Sequence, residues 1–237
     1  MKKFKCLFLF LSILLSLPTD VRAQDYHYDV NNDGLVNMTD MTFLLNKILG
    51  KINPGEAEAI DLGLPSGLKW AACNVGATSP EEYGDFYAWG ETEVKDAYRW
   101  DTYQFYSSVT NTYKSLGNIC GTKYDVAHVK WGGKWRMPSN DEFQELIDNC
   151  SYTWTTYNGV NGVKFTGPNG NSIFLPAGSC QYDTSVGSLG SFGNYWSGDE
   201  NPTYSFHARE LYFASYQVIT RYYSKDYGRK VRPVQDK

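Results

Sequence analysis

The apolar residues of this 237-residue chain are repeatedly broken by glycine, proline or a polar turn, and that rhythm limits the fold more than any other feature. Glycine occurs 22 times and tyrosine 19, and aromatic side chains make up 16% of the sequence. Such a mix favours short strands, turns and irregular loops over long helices. Two segments depart from it with a helical spacing of apolar residues, one near residue 45 and one near residue 146.

The first 23 residues read as an export signal. Lys2, Lys3 and Lys5 give a basic start, and LFLFLSILLSL is an apolar run shorter than the roughly 20 residues a permanent span needs. Val21-Arg22-Ala23 then offers a cut after Ala23. The expected location is therefore secreted, periplasmic or on the cell surface, with no membrane span left after cleavage. Removing four basic residues and one acid leaves the mature chain more acidic than the −4 of the whole. An acidic chain without a basic run offers nucleic acid little to hold. Cys73, Cys120, Cys150 and Cys180 survive the cut. In an exported chain they can pair in three ways or stay as thiols, and spacing does not choose among these.

Close behind the signal stands DVNNDGLVNMTD. Asp29, Asn31, Asp33, Leu35, Asn37 and Asp40 occupy positions one, three, five, seven, nine and twelve of an EF-hand loop, and Gly34 occupies the sixth, where the chain must turn sharply. Three carboxylates, two amides and the Leu35 carbonyl suit a hard cation wanting six to eight oxygens, so the expected cofactor is Ca2+. In the following MTFLLNKILG, Met41, Leu44, Leu45 and Ile48 fall on one helical face, and Gly50 stands where a cap would end it. Asp rather than Glu at the twelfth position resembles the dockerin modules, and residues 24–52 are read as one dockerin-like segment. The resemblance implies a cohesin-like or other protein partner through residues 29–50. A complete dockerin has two such loops, and no second one occurs in this chain.

After a linker at 53–58, residues 59–237 form the expected large domain. Residues 59–77 read as two strands about a turn at Pro65-Ser66-Gly67. WGGKWRMP reads as a glycine-laced turn into a helix that Ser139 and Glu142 would cap as a capping box. Phe143, Leu146, Ile147 and Cys150 make that helix's apolar stripe. Strand-like runs follow at 162–165, 172–175, 193–197, 210–218 and 230–234. The expected fold class is α+β, with few helices, short antiparallel strands and long loops.

DLGLPSGLKWAACNVGA, EEYGDFYAWGE, GGKWRMPSNDEFQEL, GNYWSG and YGRKVRPV occur in this order. That order resembles the Fibrobacter succinogenes major paralogous domain family, exported bacterial proteins. The resemblance implies a C-type-lectin-like fold over roughly residues 57–235 and no established reaction. Within it Trp70, Trp89, Trp131, Trp135 and Trp196 read as core rings pinned by close backbone. Arg136 reads as an ion-pair partner below the helix start or as a group that reaches a ligand, and Arg232 as a structural ion pair in a strand that closes on the first one. The Glu-Pro-Asn and Trp-Asn-Asp motifs of calcium-dependent lectins are missing.

No residue set points to turnover. His27, His128 and His207 are the only histidines, G-x-S-x-G is lacking, and no acid pair among the carboxylates stands out for glycosidase work. The function expected is a secreted, non-catalytic binding or assembly protein, with a glycan as a possible ligand of the loops 182–202 and 81–100. The alternative is an accessory or catalytic component of polysaccharide degradation.

Overall fold

The computed structural model describes residues 58–237, which belong to a compact unit spanning Pro54–Lys237. The signal segment 1–23, the dockerin-like segment 24–52 and the linker up to residue 57 lie outside the described residues.

The expected α+β, lectin-like class is corrected. The described residues are mostly strand, arranged in several small antiparallel sheets, and they contain two α-helices, α1 (Val126–Trp131) and α2 (Asn140–Asn149). The helical spacing near residue 146 was real, but it describes ten residues of a molecule in which glycine restarts the chain every few positions. No helix among the described residues is long and apolar enough to cross a membrane.

The first sheet gathers both ends of the unit. Its order is β1 (Ala59–Asp61), β2 (Lys69–Ala71), β14 (Val234–Gln235) and β5 (Trp135–Arg136). Ile60 faces Trp70, Val234 faces both Trp70 and Arg136, and so the last strand closes on the first hairpin as expected. A second sheet, β6 (Ser151–Tyr157), β7 (Val160–Thr166) and β8 (Ser172–Pro176), begins with a hairpin whose turn is Asn158-Gly159. Both turn residues have positive φ, as a two-residue hairpin turn demands. The third sheet is β11 (Phe192–Glu200), β12 (His207–Ala214) and β13 (Gln217–Ser224). Small ladders β3 (Tyr106–Ser107) with β4 (Thr112–Tyr113), and β9 (Gln181–Tyr182) with β10 (Ser185–Val186), shape two loops.

One apolar cluster joins Trp70, Phe143, Leu146, Phe165, Leu175, Leu211 and Phe213, uniting three sheets with α2. A second joins Trp89, Trp131, Trp135, Trp196 and Val231. All five tryptophans singled out above are buried. Close backbone does pin aromatic rings: a Cβ at Gly193 would lie 2.2 Å from Phe213 Cζ, so a ring occupies the space a side chain would take. Asp125, fully buried, ties the turn before β5 together. It caps α1 through the His128 amide and accepts from Gly121 and Met137 amides at 2.7 and 2.8 Å.

Arg136 pairs with Glu142 and with Asp236, each at 2.6 Å, as its place before the helix implied. Arg232 departs from expectation. It is fully buried and meets no carboxylate within ion-pair distance among the described residues. Its guanidinium donates instead to Asn74 Oδ1 and to the carbonyls of Ala71, Ala72 and Phe174. The four cysteines are unpaired thiols. Burial, then neighbouring carboxylates, pushes the Cys120 thiol up to about 12 and that of Cys150 to about 11, which keeps them from reacting as thiolates.

Candidate functional site

The calcium ligands predicted from sequence, Asp29, Asn31, Asp33, Leu35, Asn37 and Asp40, lie outside the described residues. Among the described residues no group of three or more His, Cys, Asp or Glu side chains is placed to hold a metal ion.

The feature that needs explanation in the large unit is a run of rings at the surface. Trp100 is 49% exposed, Phe206 40% and Tyr204 56%, although large apolar side chains usually sit inside. They are linked through half-buried tyrosines. Trp100 meets Tyr106 edge-on at 5.2 Å, Tyr106 meets Tyr113 at 5.1 Å, Tyr113 meets Phe206 at 6.2 Å, and Phe206 meets Tyr204 at 5.8 Å. These separations lie in the range of favourable aromatic pairs. The β3–β4 ladder holds Tyr106 opposite Tyr113, and Tyr106 Oη donates to Asn111 Oδ1 at 2.6 Å.

The run is anchored from below by charge. Glu200 accepts from Ser115 Oγ and from the amides of Leu116 and Gly117 at 2.6, 3.0 and 2.7 Å, and it pairs with Lys225, whose ammonium lies 4.5 Å from the Trp89 ring centroid. Burial works to raise the Glu200 carboxyl. The Lys225 ammonium and the hydroxyl and amide donors outweigh burial and hold it below the usual carboxylate range. Asp226, also buried, accepts from the Ser224 and Tyr113 hydroxyls. Burial first, then Asp226, pushes the Tyr113 phenol up to about 12, so it stays a neutral donor over the physiological range.

A second group of rings adjoins the first along the chain. Tyr98 and Asp183 exchange backbone hydrogen bonds at 2.9 and 2.7 Å, and Arg99 pairs with Asp183, which puts Trp100 and Tyr182 on neighbouring loops. Tyr182, 47% exposed, stacks on Tyr227 at 4.6 Å, and Tyr227 meets Tyr223 edge-on at 5.0 Å. Of the four non-glycine residues with positive φ among the described residues, Asn111, Ser179 and Asp183 sit on these loops, and Asn158 serves a hairpin elsewhere. Strained backbone of this kind concentrates where loops are shaped for a task.

The sequence reading pointed to loops 81–100 and 182–202, and the structure does bring residues 98–100 against 182–183. It missed the stretches 103–113, 204–207 and 223–229, which supply most of the rings. Their only sequence signal is a density of tyrosine and phenylalanine in segments rich in Ser, Thr, Asn and Lys, where a core strand would alternate more regularly. No protein-family model, curated protein or solved structure matches the chain.

Proposed function

We propose that this is an exported, non-catalytic carbohydrate-binding protein. Its aromatic face, from Trp100 through Tyr106, Tyr113 and Phe206 to Tyr204, holds a polysaccharide, and its N-terminal segment binds Ca2+ and engages a protein partner. The observation that carries this reading is the chain of ring contacts reaching solvent at both ends. A pyranose presents an apolar face of C–H bonds and a rim of hydroxyls. Aromatic planes beside phenols, amides and hydroxyls match both, and tyrosine and tryptophan supply contact area at small entropic cost.

The motif resemblance to exported bacterial proteins and the basic-apolar start support an extracellular setting. The donor set Asp29, Asn31, Asp33, Asn37 and Asp40 with the Leu35 carbonyl fits a calcium ion by charge and count. The cation would fold the loop around itself, and Met38 and Thr39, the tenth and eleventh positions of that loop, would face a cohesin-like partner.

The test is glycan binding by the full chain, followed by titration calorimetry on the best ligand. Tyr204→Ala with Phe206→Ala is expected to weaken binding at least tenfold, with only a small drop in the thermal midpoint because both rings are largely exposed. Unchanged affinity in the double variant would remove this face from the function.

A further inference from the structure

The geometry points to an acid-reading subsite on the third sheet, where Arg221 grips the carboxylate of a uronate residue in the bound polysaccharide. The inference rests on the glycan reading above and names the class of sugar.

Its basis is a charge imbalance built into the third sheet. Strand pairing places Trp196, Glu210 and Arg221 in one row across β11, β12 and β13. Glu210 is fully buried. Its Oε1 accepts from Arg221 Nε at 2.7 Å and from Asn194 Nδ2 at 2.9 Å, while its Oε2 accepts from Arg229 Nε at 2.6 Å. One carboxylate thus serves two guanidinium groups, and the set carries a surplus positive charge. In a chain of net charge −4, that is not a general property of the surface.

Both arginines use only their inner nitrogen on Glu210. Arg229 Nη1 is buried with no hydrogen-bond partner, and the Nη groups of Arg221 make no hydrogen bond among the described residues. A buried donor without a partner costs roughly 1–3 kcal/mol, and nature tolerates few of them. Ring faces shield part of the charge. Arg229 Cζ lies 4.4 Å from the Tyr223 centroid and 5.1 Å from that of Tyr227, and Arg221 Cζ lies 3.8 Å from that of Tyr212. Aromatic faces do not satisfy an N–H aimed past them.

Arg221 is the accessible member, with its side chain 35% exposed, whereas Arg229 is buried. A planar carboxylate takes the two parallel N–H groups of a guanidinium fork, and the added negative charge balances the set. A neutral sugar would leave the surplus charge and the outer nitrogens as they are.

The experiment compares a galacturonic acid trisaccharide, its methyl ester and a sulfated neutral trisaccharide by calorimetric titration into the full chain. The free acid is expected to bind at least tenfold more tightly than the ester, with the difference shrinking as salt rises. Arg221→Gln should erase that preference and retain ester binding, with a lower thermal midpoint, since Glu210 keeps Asn194 and Arg229 but loses one charged partner. Arg221→Lys, which keeps charge but lacks the fork, should restore only part of it. Equal binding of acid and ester overturns the acid-reading subsite and leaves the glycan face standing. A sulfated ligand bound more tightly than the uronate overturns the assignment to carboxylate. No binding of any of the three, nor of other glycans, overturns both readings.

Discussion

Lys230 is the side chain most at odds with its surroundings. It is 1% exposed and has no ion-pair partner among the described residues; its ammonium donates to the Gly84 carbonyl at 2.7 Å and lies 3.2 Å from the Phe86 ring centroid. Burial, only partly opposed by the charge of Asp85, brings its proton affinity down to about 7. The unfolded chain, with an ordinary lysine near 10.5, therefore binds more protons than the folded one between pH 7 and 10.5. Stability contributed at this residue rises with pH across that window and carries the full penalty below it. The penalty is on the order of 5 kcal/mol, at about 1.4 kcal/mol for each tenfold change in proton affinity. Lys230→Met should flatten the rise between pH 7 and 10 and stabilise the protein at pH 6. Urea midpoints of both proteins across that range check it, and parallel curves would refute it. Nothing in YGRKVRPV announces this. A basic strand reads as exposed until the fold closes Gly84 and Phe86 over it.

Helix α2 was legible because everything that makes it is local. Ser139 accepts from the Glu142 amide, Glu142 returns the bond to the Ser139 amide at 2.7 Å, and Phe143 and Leu146 fill the core one turn apart. Ser139→Ala should cost about 1 kcal/mol, read as a lower thermal midpoint, because one helix-end amide loses its acceptor. The strands were legible in part. The runs at 162–165, 172–175 and 193–197 lie inside β7, β8 and β11, but the run at 210–218 straddles the turn between β12 and β13. There the apolar signal continues through Tyr216, so no break marks the reversal. Strand β6 was overlooked, although Asn158-Gly159 after SYTWTTY is a strong hairpin signal. Its residues are largely exposed, and without a buried face the alternation that betrays a strand is blurred. The expectation of α+β gave its one clear helix in the large domain more weight than a molecule of many short strands supports.

On the proposed reading the chain as a whole joins two tasks, Ca2+ binding and glycan binding, and each should be removable without the other. Asp29→Ala together with Asp33→Ala should abolish the heat of calcium binding in calorimetry while the unit Pro54–Lys237 keeps its thermal midpoint and its glycan affinity. A loss of both on the double substitution would show that the two tasks are coupled. Sequence alone determined whatever depends on neighbours a few positions apart: the oxygen donors set at EF-hand intervals, the capped helix, the Asn-Gly reversal and the use of tryptophan as core filling. The closing strand expected at VRPV pairs beside the first hairpin. Only the tertiary structure decided where the charges and rings meet. Trp100 is linked to Phe206 through Tyr106 and Tyr113, and Glu210 gathers Asn194, Arg221 and Arg229 from three different segments. Such encounters are set by how sheets stack and loops cross. Those events join residues far apart in the chain and so leave no period in its spelling.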